Sequence, residues 1–312
     1  MPDELLTTTI EHHQKYFLVY DKNRKLINNF YIVADCEDKY GQIKLGNEKV
    51  IESRLRDAEY FWEKNKSINL IKQVVKLKDI NYFNGLGSYF DKAQRLKKLS
   101  GLISDELLIS KEKVEVASTI CKVDLLSNLV NEFPELQGVL GGYFAEEQGF
   151  EKEVCLSIKE QYLPSSSNGI IPKNDYSIAI SLSDKIDTLV GFFGLKILPS
   201  SSKDPYGLRR LTIGLIRIII ENKKTLKLNE IINYSKQLYN NQSIDFKNKN
   251  FFDDLNIFIV DRFKNFMKEK GIRNDIIESS LVGNKIDNLQ IIFSKANKLN
   301  KIINKQLGAD LI

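Results

Sequence analysis

The sequence predicts a mainly α fold: a short N-terminal α+β piece, then a helical body, then a C-terminal helical module. Three observations carry that expectation. Beyond Gly85-Leu-Gly87, apolar residues recur every three or four positions, the spacing that gathers them on one helix face. Runs with strand character lie in the first 40 residues. Breaks rich in proline, serine or asparagine fall between the periodic stretches and not inside them, as connections do.

In chain order, Tyr16-Phe-Leu-Val-Tyr20 and Phe30-Tyr-Ile-Val-Ala34 are the two strand runs, with Asp21-Lys-Asn-Arg-Lys25 as the turn between them. Two strands alone are marginally stable, so part of this piece is expected to be missing or supplied from elsewhere. Asn47 is expected to cap a helix reaching about Lys66, with Val50, Leu55, Ala58 and Phe61 or Trp62 on its apolar side. Val114, Ala117, Cys121, Leu125 and Leu129 predict a further helix with a core stripe. Ile178, Leu182, Ile186, Leu189, Val190 and Phe193 predict another, as do Leu208, Leu211, Thr212, Leu215, Ile216 and Ile219. The last clear set is Phe258, Asp261, Arg262, Phe263 and Phe266. Breaks fall at 164–169 and 199–205, and the polar stretch 240–250 reads as a linker. The expected division is 1–75, 85–240 and 250–312, in keeping with two or three domains for 312 residues. No internal repeat of fixed period is visible.

Composition narrows the function. With 42% hydrophobic and 28% charged residues the chain is an ordinary folding sequence. Cys36, Cys121 and Cys155 are far apart and form no CxxC pair, so they are expected as reduced core thiols and not as a zinc site or disulfide framework. No basic-then-apolar leader is present. The longest apolar run, Leu211–Ile220, contains Arg217 and is about half of a membrane span. Both point to a cytoplasmic protein without a membrane partner. Charge is uneven: residues 1–195 hold 25 basic and 29 acidic side chains, residues 196–312 hold 21 and 12. That asymmetry fits a C-terminal part that meets a polyanion, and fits equally a lysine-rich solvated surface.

Histidine occurs only at His12 and His13. The helical body therefore lacks the imidazole that Ser–His, Cys–His and most metal-assisted chemistry needs. No phosphate-loop or dinucleotide-binding glycine pattern is present, and Gly138, Gly141 and Gly142 do not follow an expected strand. Asp124, Asp184 and Asp187 interrupt strongly apolar helical stretches. A buried carboxylate must be paired or hydrogen-bonded, so these are either a metal or phosphate site or structural groups bonded to a neighbour such as Lys122 or Lys185, or to a helix end. In Ser202-Lys-Asp-Pro-Tyr-Gly-Leu-Arg-Arg210, Asp204 is expected to cap a helix with Pro205 at its first position. Lys203, Arg209 and Arg210 then cluster at a helix start, an arrangement suited to phosphate, or else pair with acidic surface neighbours.

Several blocks together resemble one family. Asn131-Glu-Phe-Pro-Glu-Leu-Gln-Gly138, Gly141-Gly-Tyr143, Gln161-Tyr-Leu-Pro164, Ser183-Asp-Lys-Ile-Asp-Thr-Leu-Val-Gly-Phe-Phe193 and 202–210 resemble, in the same order, the β subunit of the bacterial heterotetrameric glycyl-tRNA synthetase. His13-Gln-Lys-Tyr-Phe17 and Gly46-Asn-Glu-Lys-Val50 are similar to it too. The resemblance reaches from residue 4 to about 220 and weakens, without stopping, from 250 onward. Members of that family are longer at both ends, so this chain is expected to lack the start of the N-terminal editing-like domain and the anticodon-binding part.

The resemblance implies an HD-like helical domain over 85–240. Val123-Asp124 then stands at the position of the family fold's His-Asp pair, and Asp184 at its final Asp. Both histidine ligands are missing, which implies degenerate positions, no metal and no hydrolysis. It further implies a chain with no catalytic residue and no cofactor of its own, since the α subunit makes glycyl-adenylate from glycine and ATP while the β subunit grips tRNA. The implied partners are that α subunit and tRNA-Gly in an α2β2 heterotetramer. Lys203, Arg209 and Arg210, with Lys15, are the candidate tRNA contacts. Leu136–Phe144 is a candidate face for the α subunit, or simply an internal turn. A metal-dependent phosphohydrolase and a purely structural helical scaffold are the competing readings.

Overall fold

The computed structural model describes residues 1–200, 203–282 and 287–303. Ser201 and Ser202, within the expected break at 199–205, and 283–286 and 304–312, within the expected C-terminal module, lie outside the described residues. The fold is mainly α, as expected. A short helix α1 (Asp3–Thr7) passes into a π-helical turn (Thr8–His13), followed by a hairpin of β1 (Phe17–Tyr20) and β2 (Leu26–Tyr31). The strands are antiparallel with Phe17 opposite Tyr31 and Leu18 opposite Phe30. The turn lies where expected, because Asp21 Oδ1 accepts from the backbone N–H of Asn23 and Lys25, each at 2.8 Å. The second strand starts at Leu26 and not at Phe30, since this tight turn returns the chain at once.

Helix α2 (Gln42–Lys66) begins five residues before the expected cap. Asn47 lies within the helix: its Nδ2 donates to Ile43 O at 2.7 Å, and its Oδ1 accepts from Tyr16 Oη. The start is fixed instead by Asp38, whose carboxylate accepts from the backbone N–H of Ile43 (3.1 Å) and Lys44 (2.9 Å). Gly41, at φ 69°, makes the left-handed turn between them. The buried face is Ile51, Ala58, Trp62 and Asn65; Val50, expected to face inward, is exposed.

A single-turn helix α3 (Leu70–Gln73) and a small hairpin of β3 (Asn81–Phe83) and β4 (Gly87–Ser88) lead into the helical body. Helix α4 (Tyr89–Leu107) opens with a capping box in which Ser88 Oγ accepts from Asp91 N and Asp91 accepts from Ser88 N. Helix α5 (Lys111–Ile120) packs along α4. The expected continuous helix through Leu129 is broken: α5 stops at Ile120, a 3-10 turn covers Val123–Leu126, and α6 (Asn128–Glu132) starts afresh. Ser127 causes the restart, since its Oγ accepts from Val130 N (3.0 Å) while its own N–H bonds Asp124 O (2.9 Å). Helices α7 (Val139–Glu147) and α8 (Lys152–Lys159) pair with each other.

Helix α9 (Asp175–Gly194) is the axis of the body. From Ser177 to Gly194 every residue except Thr188 is buried, the mark of a helix enclosed on all sides. It packs against α4, α5 and α8, and against α10 (Leu208–Glu221), α11 (Leu228–Asn240) and α12 (Phe251–Glu269). The polar stretch after α11 is tied to the end of α9: Asn248 N–H donates to Gly194 O at 2.9 Å, and Asn248 Nδ2 to Phe193 O at 3.2 Å. α12, α13 (Asn274–Leu281) and α14 (Leu289–Ile303) follow and contribute to the same apolar core as α9 and α10. No helix among the described residues is long and apolar enough to cross a membrane. Cys121 and Cys155 are buried as expected, but Cys36 is exposed, being in the loop after β2.

Candidate functional site

Two places bear on function: the buried polar centre of the body and the basic turn before α10. At the centre, α4 brings Lys92 and Arg95 against α9, which carries Asp184 and Asp187. Lys122, between α5 and the 3-10 turn, reaches Asp184 from the other side at 2.8 Å. Lys92 Nζ lies 3.3 Å from Asp184 Oδ1 and 3.1 Å from Asp187 Oδ2. The Lys122–Asp184 contact is an ion pair lacking the alignment of a hydrogen bond; Lys122 directs its N–H to Tyr162 Oη at 2.7 Å, which also accepts from Gln137 Nε2 at 2.7 Å. Tyr239 closes the far end, accepting from Arg95 Nη2 (3.2 Å) and donating to Asp187 O (2.9 Å).

Burial alone would force these charges to neutralise. It pushes the Asp184 carboxyl up, but the ammoniums of Lys122 and Lys92 outweigh it and hold the group well below the usual carboxylate range. Arg95 and Lys92 do the same for Asp187. Burial likewise opposes the charge on Lys122, and Asp184 more than restores it. Three cations, Lys92, Arg95 and Lys122, thus face the two carboxylates of Asp184 and Asp187, and each sign favours the charged form of the other.

The sequence left open whether Asp184 pairs with Lys122 or Lys185. It is Lys122. Lys185 instead donates to Leu163 O (2.6 Å) and Ser181 Oγ (2.8 Å), and burial depresses its ammonium to about 7. One residue along a helix is a turn of about 100°, which takes Lys185 away from the Asp184 side chain. Lys92 and Arg95 were missed by sequence reasoning. Their signal was position: Lys92 falls on the stripe of Leu96, Leu99 and Ile103, where a charge must be paired.

Asp124 is not in that cluster, although Lys122 influences both carboxylates. Its Oδ2 accepts from the backbone N–H of Gly138 at 2.5 Å, while Oδ1 is buried without a hydrogen-bond partner. Burial raises its pKa to about 6, against the pull of Gly138 N–H and Lys122. Asp124 lines a cavity of about 220 Å³ together with Asn65, Lys76, Ser127 and Phe144. Gly141 passes so close that a Cβ there would stand 3.0 Å from Asp124 Oδ2, and a Cβ on Gly142 would stand 2.8 Å from Cys155 O. The glycines of 136–144 therefore serve internal packing. These positions do not fit the resident metal of an HD-type site. Lysine ammoniums already compensate Asp184, Asp124 is bonded to the backbone, and no imidazole is at hand. Among the described residues no group of three or more His, Cys, Asp or Glu is placed to hold a metal ion.

The basic turn differs in detail from its expectation. α10 starts at Leu208 and not at Pro205, because Gly207 takes the left-handed conformation (φ 65°). Asp204 still caps it, accepting from the backbone N–H of Leu208 and Arg209, each at 2.9 Å. Asp38-Lys-Tyr-Gly41 and Asp204-Pro-Tyr-Gly207 thus start α2 and α10 in the same way. Arg209 is half-buried and donates to Ser200 O; Lys203 and Arg210 are exposed. Lys203 and Arg209 both bond Ser200 through its side chain and carbonyl, and Arg210 follows on the first turn of α10, whereas Lys15 is exposed on the N-terminal piece, at φ 60°.

A family model described as "Glycyl-tRNA synthetase beta subunit" matches residues 1–282. Among curated relatives, the glycine–tRNA ligase beta subunit of Thermodesulfovibrio yellowstonii is 38% identical over 281 residues, covering 89% of this chain and 40% of the relative. That of Stutzerimonas stutzeri is 39% identical over 273 residues, 87% of this chain and 40% of its own. That of Lactobacillus acidophilus is 36% identical over 297 residues, 94% and 43%. The chain spans about two fifths of the length of these relatives. With nine-tenths of its residues matched by the family model, on a helical body whose centre is closed by paired charges, this chain belongs to the glycyl-tRNA synthetase beta subunit family.

Proposed function

We propose that this chain forms the helical body of a glycine–tRNA ligase β subunit, working in the cytoplasm with an α subunit in an α2β2 assembly. Its part is to hold and position tRNA-Gly. The α subunit binds ATP and glycine and makes the adenylate, and this chain brings no cofactor or catalytic group of its own. The observation that supports this reading is the Lys122–Asp184–Lys92 cluster: ammonium groups from α4 and from the turn after α5 are committed to the carboxylate of α9, at the position that the resemblance gives to the metal of an HD-like hydrolase. Such a body contributes to rate by registering two reactants, which removes entropy from the barrier. Charge supports the same reading, since residues 196–312 hold 21 basic side chains against 12 acidic. A metal-dependent phosphohydrolase is the weaker reading, because the positions it needs offer carboxylates already committed to lysines and to a backbone N–H.

The test is binding of tRNA-Gly to this chain mixed with the matching α subunit, at low and at moderate salt. The expected result is a salt-dependent ternary complex, tighter than either protein alone gives. Absence of a complex at both salt concentrations overturns the reading.

A further inference from the structure

The C-terminal helices frame a groove of about 590 Å³ between the end of α10 and one face of α14. Three lysines converge on it: Lys223, just past α10 at φ 54°, and Lys295 and Lys298 on α14. All three are exposed, and none of their ammonium groups has an ion-pair or hydrogen-bond partner among the described residues. This sets them apart from the lysines next to them, since Lys224 pairs with Asp175 at 2.6 Å and Lys227 with Glu230 at 3.4 Å. Two hydroxyls, Thr225 and Ser294, lie in the same wall. Ser294 Oγ accepts from Gln290 Nε2 at 3.3 Å, so its own O–H is left to donate. Ile291, more than half exposed, supplies an apolar ledge beside the cations.

Unpaired cations held close together repel one another, an arrangement relieved by a shared polyanion and not by one carboxylate. Lysines set the strength of backbone binding through release of counterions, and hydroxyls add donors to phosphate oxygens. We propose that this groove, lined by Lys223, Lys295, Lys298, Thr225 and Ser294, seats the sugar-phosphate backbone of the RNA. The assignment rests on the tRNA-holding role proposed above and gives it a second point of attachment. Lys223 follows the last turn of the helix whose first turn carries Arg209 and Arg210. At 1.5 Å per residue the two basic ends are about 20 Å apart, a span of several nucleotides along one strand.

The experiment compares wild type with Lys223→Ala/Lys295→Ala/Lys298→Ala and with the Lys→Arg triple, each mixed with the α subunit, by titrating a tRNA-Gly transcript over a range of salt. The expected result for the alanine triple is at least tenfold weaker binding at low salt and a log–log salt slope shallower by about 2 to 3, while the arginine triple binds like wild type. Because the side chains are exposed and unpaired, thermal unfolding of the triples should match wild type. If wild type binds and the alanine triple keeps its slope, the groove assignment is overturned while the tRNA-holding role stands. If wild type itself does not bind, both fall. If the alanine triple loses the α subunit with its RNA slope unchanged, the groove belongs to a protein partner, and the proposal is again overturned.

Discussion

Arg95 grips both oxygens of Asp187, Nε to Oδ1 at 2.7 Å and Nη2 to Oδ2 at 3.2 Å, and neither side chain is reached by water. The pair joins α4 to α9, and its remaining donors are used: Arg95 Nη1 donates to Gln242 Oε1 at 2.7 Å and to Leu86 O at 3.3 Å. A two-pronged pair of this kind fixes geometry as well as charge. Removing one partner leaves the other charged and buried. Arg95→Met or Asp187→Asn should each lower unfolding free energy by about 3–5 kcal/mol in denaturant titration. Arg95→Met/Asp187→Leu should recover most of that loss. A double variant as unstable as the sum of the singles would show that the two groups do not depend on each other.

Asp124 should make stability depend on pH in the direction opposite to the paired carboxylates. Its pKa is raised to about 6 in the fold, from an ordinary 3.8. The native state therefore binds the proton more tightly than the unfolded chain, and the stabilising contribution is complete below about pH 4 and lost as pH rises through 6. Asp124→Asn keeps an oxygen for Gly138 N–H and removes the titration. The stability of wild type relative to this variant should fall by about 2–2.5 kcal/mol between pH 4 and pH 7. A difference that stays flat across that window would count against a buried, proton-hungry Asp124.

What the sequence made legible follows the physics of single elements. The amphipathic stripes were readable because helical burial repeats locally, and Asp124 and Asp184 stood out because carboxylates interrupt such stripes. Helix starts were misplaced twice for one reason. In both Asp38–Gly41 and Asp204–Gly207 the capping carboxylate reaches forward across a left-handed glycine, so cap and first helical residue are not neighbours. Partner choice at the centre was only half legible. Lys122 lay next to the expected carboxylate in the folded chain, but Arg95 and Lys92 are about 90 residues from Asp187 in sequence, and only tertiary packing brings them together. Four cations crowd α4 (Lys92, Arg95, Lys97 and Lys98), and the buried two are those in register with Leu96, Leu99 and Ile103.

Gly142 tests the tightness of the α7–α8 pairing. A Cβ added there would stand 2.8 Å from Cys155 O and 2.9 Å from Lys159 Cβ, and backbone cannot swing aside as a side-chain tip can. Gly142→Ala should cost about 1–3 kcal/mol, the usual range for overpacking a filled interior. Gly149→Ala is the control with open space around it, although its φ of 75° brings a strain of its own. A Gly142→Ala protein with the wild-type midpoint would mean that the helices separate freely.

Arg209 and Arg210 are neighbours with different tasks, which a salt titration separates. Arg209 donates to Ser200 O and so pins the loop before α10, whereas Arg210 is exposed with no partner of that kind among the described residues. Replacing both by alanine should weaken tRNA binding and flatten its salt slope by up to about two, one for each phosphate left without its cation. Arg210→Ala alone should account for one of these and leave thermal stability unchanged, because it breaks no bond among the described residues. Arg209→Ala should also lower thermal stability slightly, by freeing the Ser200 carbonyl, and Arg209→Lys should restore charge without the planar fork. If the double variant keeps the wild-type slope, the start of α10 takes no part in holding RNA, and the cations of this body that meet phosphate must lie elsewhere.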